Sequence, residues 1–201
     1  ISLDLLFLIP EIFLIFSIII ILIYSIFIST KYTLLNNKKY NTPIITTIIT
    51  NLIIFTSFIL IILYSQNLTN FQILFNGQFI ISYYTQIGKI FIFGITILCL
   101  LTFNSYLKNN QINNYEYLIL ILISILSICL LLNTNDLLHY YIIIELQSLC
   151  FYTITALKKN NIYSSEAGLK YFILGSIISG LLLLGIALLY GMTGLTNLKE
   201  L

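Results

Sequence analysis

Glu145 and Lys170 are the residues of this 201-residue chain whose surroundings should resist them. Glu145 lies inside NDLLHYYIIIELQSLCFYTITAL (135–157), and Lys170 inside SEAGLKYFILGSIISGLLLLGIALLY (165–190). An ionisable group at bilayer depth costs on the order of 2.5–3.5 kcal/mol on insertion scales, so it normally has a partner or a task. Glu145 follows Asp136 by nine residues, about 14 Å along a helix, which is near the middle of a hydrocarbon core roughly 30 Å thick. Tyr141, Ser148 and Tyr152 share its helical face, with Gln147 nearby, and could order water there. A buried acid and a base linked through one or two waters can form a poised proton site, the chemistry these types suggest. The plainer readings are a protonated Glu145 bonded to a neighbouring helix and a Lys170 whose stem returns its amine to the interface.

Other charged positions invite less. Lys89, one turn into an apolar run, is expected to snorkel outward, with a proton-relay role as the alternative. Glu11 after Pro10 suits a first helical turn. His139 is expected at the interface, on a different face from Glu145, with an exit-path role as the alternative; Asp136 is expected to cap a helix. One histidine cannot carry paired haem ligation. Cys99, Cys129 and Cys150 lack metal-like or disulfide-like spacing and read as small apolar fillers.

The elements that must hold these groups are read from apolar runs. The chain is 59% hydrophobic and 8% charged, against roughly 25% charged residues in soluble domains. Its continuous runs, rather than short alternating ones, predict an all-α, polytopic transmembrane bundle of about six spans. The spans are expected near Leu3–Ile28, Pro43–Tyr64, Tyr84–Phe103, Tyr115–Leu132, Asn135–Leu157 and Ser165–Tyr190, with a polar loop at Ser65–Tyr83. Asn133–Asp136 is a tight connection, which makes the fourth and fifth spans antiparallel neighbours. Ser165-Glu166 is expected to open the sixth, whose Gly/Ser spacings (Gly175–Ser179, Ser176–Gly180) permit close helix approach.

Lys31, Lys38 and Lys39 are placed in the first connection, Lys108 in the third, and Lys158 and Lys159 in the fifth. These loops share one side, which the positive-inside rule assigns to the cytoplasm or matrix, so both termini are expected on the other. The chain has no arginine or tryptophan and is rich in Ile, Leu, Asn, Tyr, Phe and Lys, a skew that suggests an A/T-rich, organelle-like genome. The first residues lack a basic n-region, and the first apolar run is too long for a signal peptide. Ile1 is read as an unusual start codon or a missing N-terminus.

LLNTNDLLHYYIIIELQSLCFYTITALKKN, followed by SSEAGLKYFILGSIISGLLLLGIALLYGMTG, resembles the antiporter-like membrane-arm subunits of respiratory complex I, the subunit 2 family most closely. LIPEIFL (8–14) is similar to that family's opening helix. The resemblance implies a proton-translocating subunit in which Glu145 and Lys170 fall on the fifth-helix glutamate and sixth-helix lysine. It implies about fourteen helices in two inverted repeats, of which residues 1–201 form one transmembrane unit: three leading helices (1–105) and the first three helices of an incomplete first repeat (115–191). It further implies no cofactor on this chain, with NADH, flavin, iron-sulfur clusters and quinone elsewhere in the complex. Expected partners are other membrane-arm subunits, lipids and, if the chain is a split-gene product, a second polypeptide that completes the fold; nucleic acid is not among them. The expected location is the mitochondrial inner membrane, with the termini on the intermembrane-space side. Two other readings stay open: a subunit of a Mrp-type cation/proton antiporter, and a degenerate, non-pumping half-subunit that bridges its neighbours.

Overall fold

Runs of Ile and Leu without breakers leave a chain in hydrocarbon one option, which is to close its own backbone hydrogen bonds as helix. The computed structural model describes residues 7–35, 42–65, 71–109, 115–158 and 161–201. Among them six helices follow in order: α1 (Ile9–Leu35), α2 (Thr42–Ser65), α3 (Tyr83–Asn109), α4 (Tyr115–Asn133), α5 (Leu137–Thr155) and α6 (Ile162–Thr193). Five of these are long and apolar enough to cross a membrane.

The ends differ from the sequence expectation in an instructive way. At 27 residues each, α1 and α3 continue past the expected stops. Such helices are about 40 Å long, more than the roughly 30 Å of hydrocarbon, and they take in Lys31 and Lys108 rather than leaving them to loops. Lys38, Lys39 and Lys159 lie outside the described residues. α6 opens at Ile162, not Ser165, because the Asn161 side chain accepts from the Tyr163 N–H at 3.1 Å and provides the cap. It ends at Gly194, whose φ of 71° lets its N–H reach the Tyr190 carbonyl at 2.8 Å.

α4 is the central helix. Leu122, Ile125, Leu126 and Cys129 meet Leu14 and Ile21 of α1, Ile54 and Ile61 of α2, and Phe93 and Leu100 of α3 in one apolar core. α5 packs on α4 and α6 packs on α5. α6 is therefore the edge: its buried residues are Gly168 and Ile186, while Leu174, Ile178 and Leu181 face outward. Hydroxyls inside the spans are satisfied within their own helices, as in Ser17 to the Leu14 carbonyl, Ser127 to Ser124 and Ser176 to Ile173.

The expected polar loop instead holds an antiparallel hairpin, β1 (Gln72–Leu74) and β2 (Phe79–Ile81). Its turn places Phe75, Asn76 and Gly77 all at positive φ, a backbone that favours Asn and Gly. Leu74 and Ile81 join Leu8 in a second, smaller core. Next to it Phe79 bridges to Thr134, and Asp136 bridges to Asn197.

Asn135 ties this end together. Its backbone N–H donates to the Gln78 carbonyl at 2.8 Å, and its carbonyl accepts from Leu198 at 2.8 Å. Its side-chain amide donates to the Gly77 carbonyl at 2.9 Å and lies 2.5 Å from Asn197 Oδ1. Asn135→Ala removes both side-chain bonds and is expected to cost about 1–3 kcal/mol. Faster amide exchange in Phe79–Ile81 and Thr196–Leu198, with α2 unaffected, is the readout; unchanged exchange there would mean that the cap holds without it.

Candidate functional site

Glu145 stands in the middle of α5 and is half-buried. Its Oε2 is sealed from solvent with no hydrogen-bond partner among the described residues. Ser148, placed beside it by helical spacing, donates to the Glu145 backbone carbonyl at 2.8 Å rather than to the carboxylate. Tyr152 is likewise occupied elsewhere, edge-on to the rings of Tyr171 and Phe172 at centroid distances of 4.9 and 5.7 Å. Ser148 and Tyr152 are thus engaged elsewhere than at the carboxylate.

Lys170 does not turn toward Glu145. Its ammonium pairs with Glu166, one turn earlier on α6, at 2.6 Å, and both side chains are mostly exposed. That geometry follows from α6 being the edge helix. An i,i+4 acid–base pair on an open face closes locally, and an exposed pair contributes little to stability.

The structure brings together a pair that sequence reasoning kept apart. Lys89 is fully buried and its Nζ binds Glu11 Oε1, which corrects the expectation that Lys89 snorkels outward. The physical reason is the hairpin. Glu11 lies one turn after Leu8, which belongs to the small hairpin core, and one turn before Leu14 of the main core. The way out for a lysine stem is closed by that second core, so burial is tolerated through pairing. Asn133, at the end of α4 and also fully buried, reaches Glu11 Oε1 with its Nδ2 at 3.4 Å. A signal was present in the sequence: an up-and-down bundle starts α1 and α3 at the same end, which puts Glu11 and Lys89 at similar depth.

His139 sits at this end as a satisfied interfacial side chain. Its Nδ1 is 2.9 Å from Asp136 Oδ2, and its ring meets Phe79 edge-on at 5.6 Å. Asp136 occupies the cap position of α5, yet its carboxylate makes no cap hydrogen bond, being turned to His139 instead. The three cysteines are free, and the described residues contain no cluster of His, Cys, Asp and Glu suited to a metal.

Residues 134–201 match the family described as NADH:quinone oxidoreductase/Mrp antiporter, transmembrane. The chain is 40% identical over 200 residues to NADH-ubiquinone oxidoreductase chain 2 of Marchantia polymorpha, covering 98% of this chain and 40% of that one. It is 35% identical over 193 residues to NADH-quinone oxidoreductase subunit N of Pelagibacter ubique, covering 95% and 38%. It overlays on a chain of Thermus thermophilus respiratory complex I, solved with bound aureothin, with a TM-score of 0.62 at 22% identity, over 90% of this chain and 38% of that one. A chain of an archaeal membrane-bound sulfane sulfur reductase gives a TM-score of 0.65 at 22% identity, over 98% and 39%. These two likenesses concern the fold.

Helix order, the charge inside α5 and these matches define an antiporter-like membrane-helix protein. More particularly, the chain is an NADH dehydrogenase subunit 2/N-like protein. It spans about two-fifths of the length of these curated relatives. The Mrp-type reading has less support, since both relatives are NADH dehydrogenase chains.

Proposed function

We propose that the chain is the leading portion of a proton-translocating membrane-arm subunit of NADH:ubiquinone oxidoreductase in the mitochondrial inner membrane. In this reading α1–α3 are a leading layer, and α4–α6 open the first antiporter-like repeat. Both termini lie on the intermembrane-space side. The chain holds no redox group; electron transfer belongs to other subunits, and a further polypeptide segment and lipids cover α6.

The observation that carries the reading is Glu145 Oε2, buried at mid-span without a donor. A carboxylate so placed is costly unless its charge is used. Its proton affinity then answers to any cation brought against α5, and a change in that charge alters the affinity of the next buried base along the membrane arm. Lys170 joins the relay when its amine leaves Glu166, which is 2.6 Å away in the pair described.

Glu145→Gln in the native assembly tests this. The amide keeps the shape, so the amount of assembled complex and its NADH oxidation should persist, while protons moved per electron pair fall several-fold. Unchanged stoichiometry would reject the relay and select the alternative of a bridging, non-pumping piece. The Lys170–Glu166 pairing is the one feature favouring that alternative.

A further inference from the structure

Lys89 and Glu11 have side chains 0% and 3% exposed, and the relay proposed above uses neither. A plain structural clasp would satisfy both carboxylate oxygens. Here Oε1 takes both the Lys89 ammonium and the Asn133 amide, while Oε2 is buried without a partner. An unmet buried acceptor is costly, and more so when charged. Interiors meet such groups with ordered water or with a proton.

The unmet oxygens do not stop at Glu11. Asn133 Oδ1 and Gln86 Oε1 are buried and unpaired, and so is Asp136 Oδ1. Gln86 shares the α3 strip with Lys89, one turn before it. Asp136 follows Asn133 by three residues, at most about 11 Å of chain. Asp136 Oδ2 in turn meets His139 Nδ1 at 2.9 Å. Exposure is 0% at Lys89, 3% at Glu11 and 0% at Asn133, then 12% at Asp136 and 34% at His139, so the line opens only at its far end. Among the described residues, Cys129 of α4 is also in electrostatic range of the pair; the hairpin side contributes apolar Leu74 and Ile81.

We propose that Glu11 is a proton-exchanging site, joined to the hairpin face by a short water-bridged line through Asn133, Asp136 and His139. Two exchanges balance. Within the pair, the Lys89 ammonium gives one proton to the Glu11 carboxylate, leaving an amine and a carboxylic acid with no change in net charge. From outside, His139 takes a proton from solvent at one ring nitrogen and releases one from the other. That proton reaches Glu11 through water while Lys89 stays charged, so the pair gains one positive unit. Burial penalises each ion, which keeps the neutral form of the pair within reach. The inference concerns the α1–α3 layer and stands whether or not Glu145 pumps.

The test uses native membranes carrying the assembled protein and infrared difference spectra of carboxylic-acid bands. The Glu11 band is assigned by its loss in the charge-free double variant Glu11→Gln/Lys89→Gln. Should that variant not assemble, Glu11→Asp shifts the band and makes the same assignment. His139→Ala and Asp136→Asn alter the outer end of the line, away from the main core, and should still fold. The expected result is a Glu11 band that exchanges hydrogen for deuterium about tenfold more slowly in either of these variants than in the unaltered protein. No Glu11 band at any pH, or exchange unaffected by both substitutions, would leave the pair a fixed clasp and overturn the proposal.

Discussion

Glu11→Gln alone is expected to destabilise the chain by about 3–5 kcal/mol, because it strands the Lys89 ammonium in a sealed site. Lys89→Met strands a carboxylate instead and should cost about as much unless Glu11 takes up a proton, which lowers the penalty. The double change Glu11→Leu/Lys89→Met removes both charges, and its cost should fall within about 1 kcal/mol of zero, since apolar replacement of a whole buried pair is often neutral. Thermal unfolding of the solubilised assembly gives the comparison. Singles no worse than the double would mean that the pair is solvated after all. The effect is large because nothing apolar can stand in for one ion: Leu8 and Leu14 flank Glu11 along the chain, and neither accepts a hydrogen bond through its side chain.

Gly175→Ala should open the α5–α6 contact. A Cβ at that position would fall 1.8 Å from the Tyr152 hydroxyl and 2.4 Å from its Cζ. The ring cannot swing freely, being held edge-on against Tyr171 and Phe172, both on α6. Overpacking of this kind costs about 1–3 kcal/mol. Gly180 is the control, since a Cβ there would meet nothing within 4 Å; alanine at that position should be neutral within this chain. Tyr152→Leu in the Gly175→Ala background should restore most of the loss. Thermal melting together with cross-linking across α5 and α6 reads both effects, and failure of that rescue would show that the tyrosine is not the obstacle.

These two sites show what the sequence carried and what it did not. Helix number and order were legible, because an uninterrupted Ile/Leu run has few other fates in lipid. The small residues of α6 announced a close approach, yet not which of them makes it. The contacts are Gly168 against Ala156 and Gly175 against Tyr152, rather than the Gly175–Ser179 and Ser176–Gly180 spacings. The hairpin was missed although Asn76-Gly77 is a strong turn dipeptide. Its strands are three residues each, too short to show an alternating pattern.

Missing the hairpin caused the misreading of Lys89. Snorkelling presumes an open route to water, and only tertiary structure reveals that Leu74 and Ile81 help to close it. What spacing along the chain did not reveal is that Lys170 has a partner one turn away on its own surface, Glu166, which it must leave before water can link it to Glu145.

The hydrogen bonds between Asn135 and residues 197 and 198 bear on how the protein is made. During synthesis α1 to α5 emerge before Thr196–Leu198 exist, so the two hydrogen-bonded ends of this network meet only once α6 has followed them.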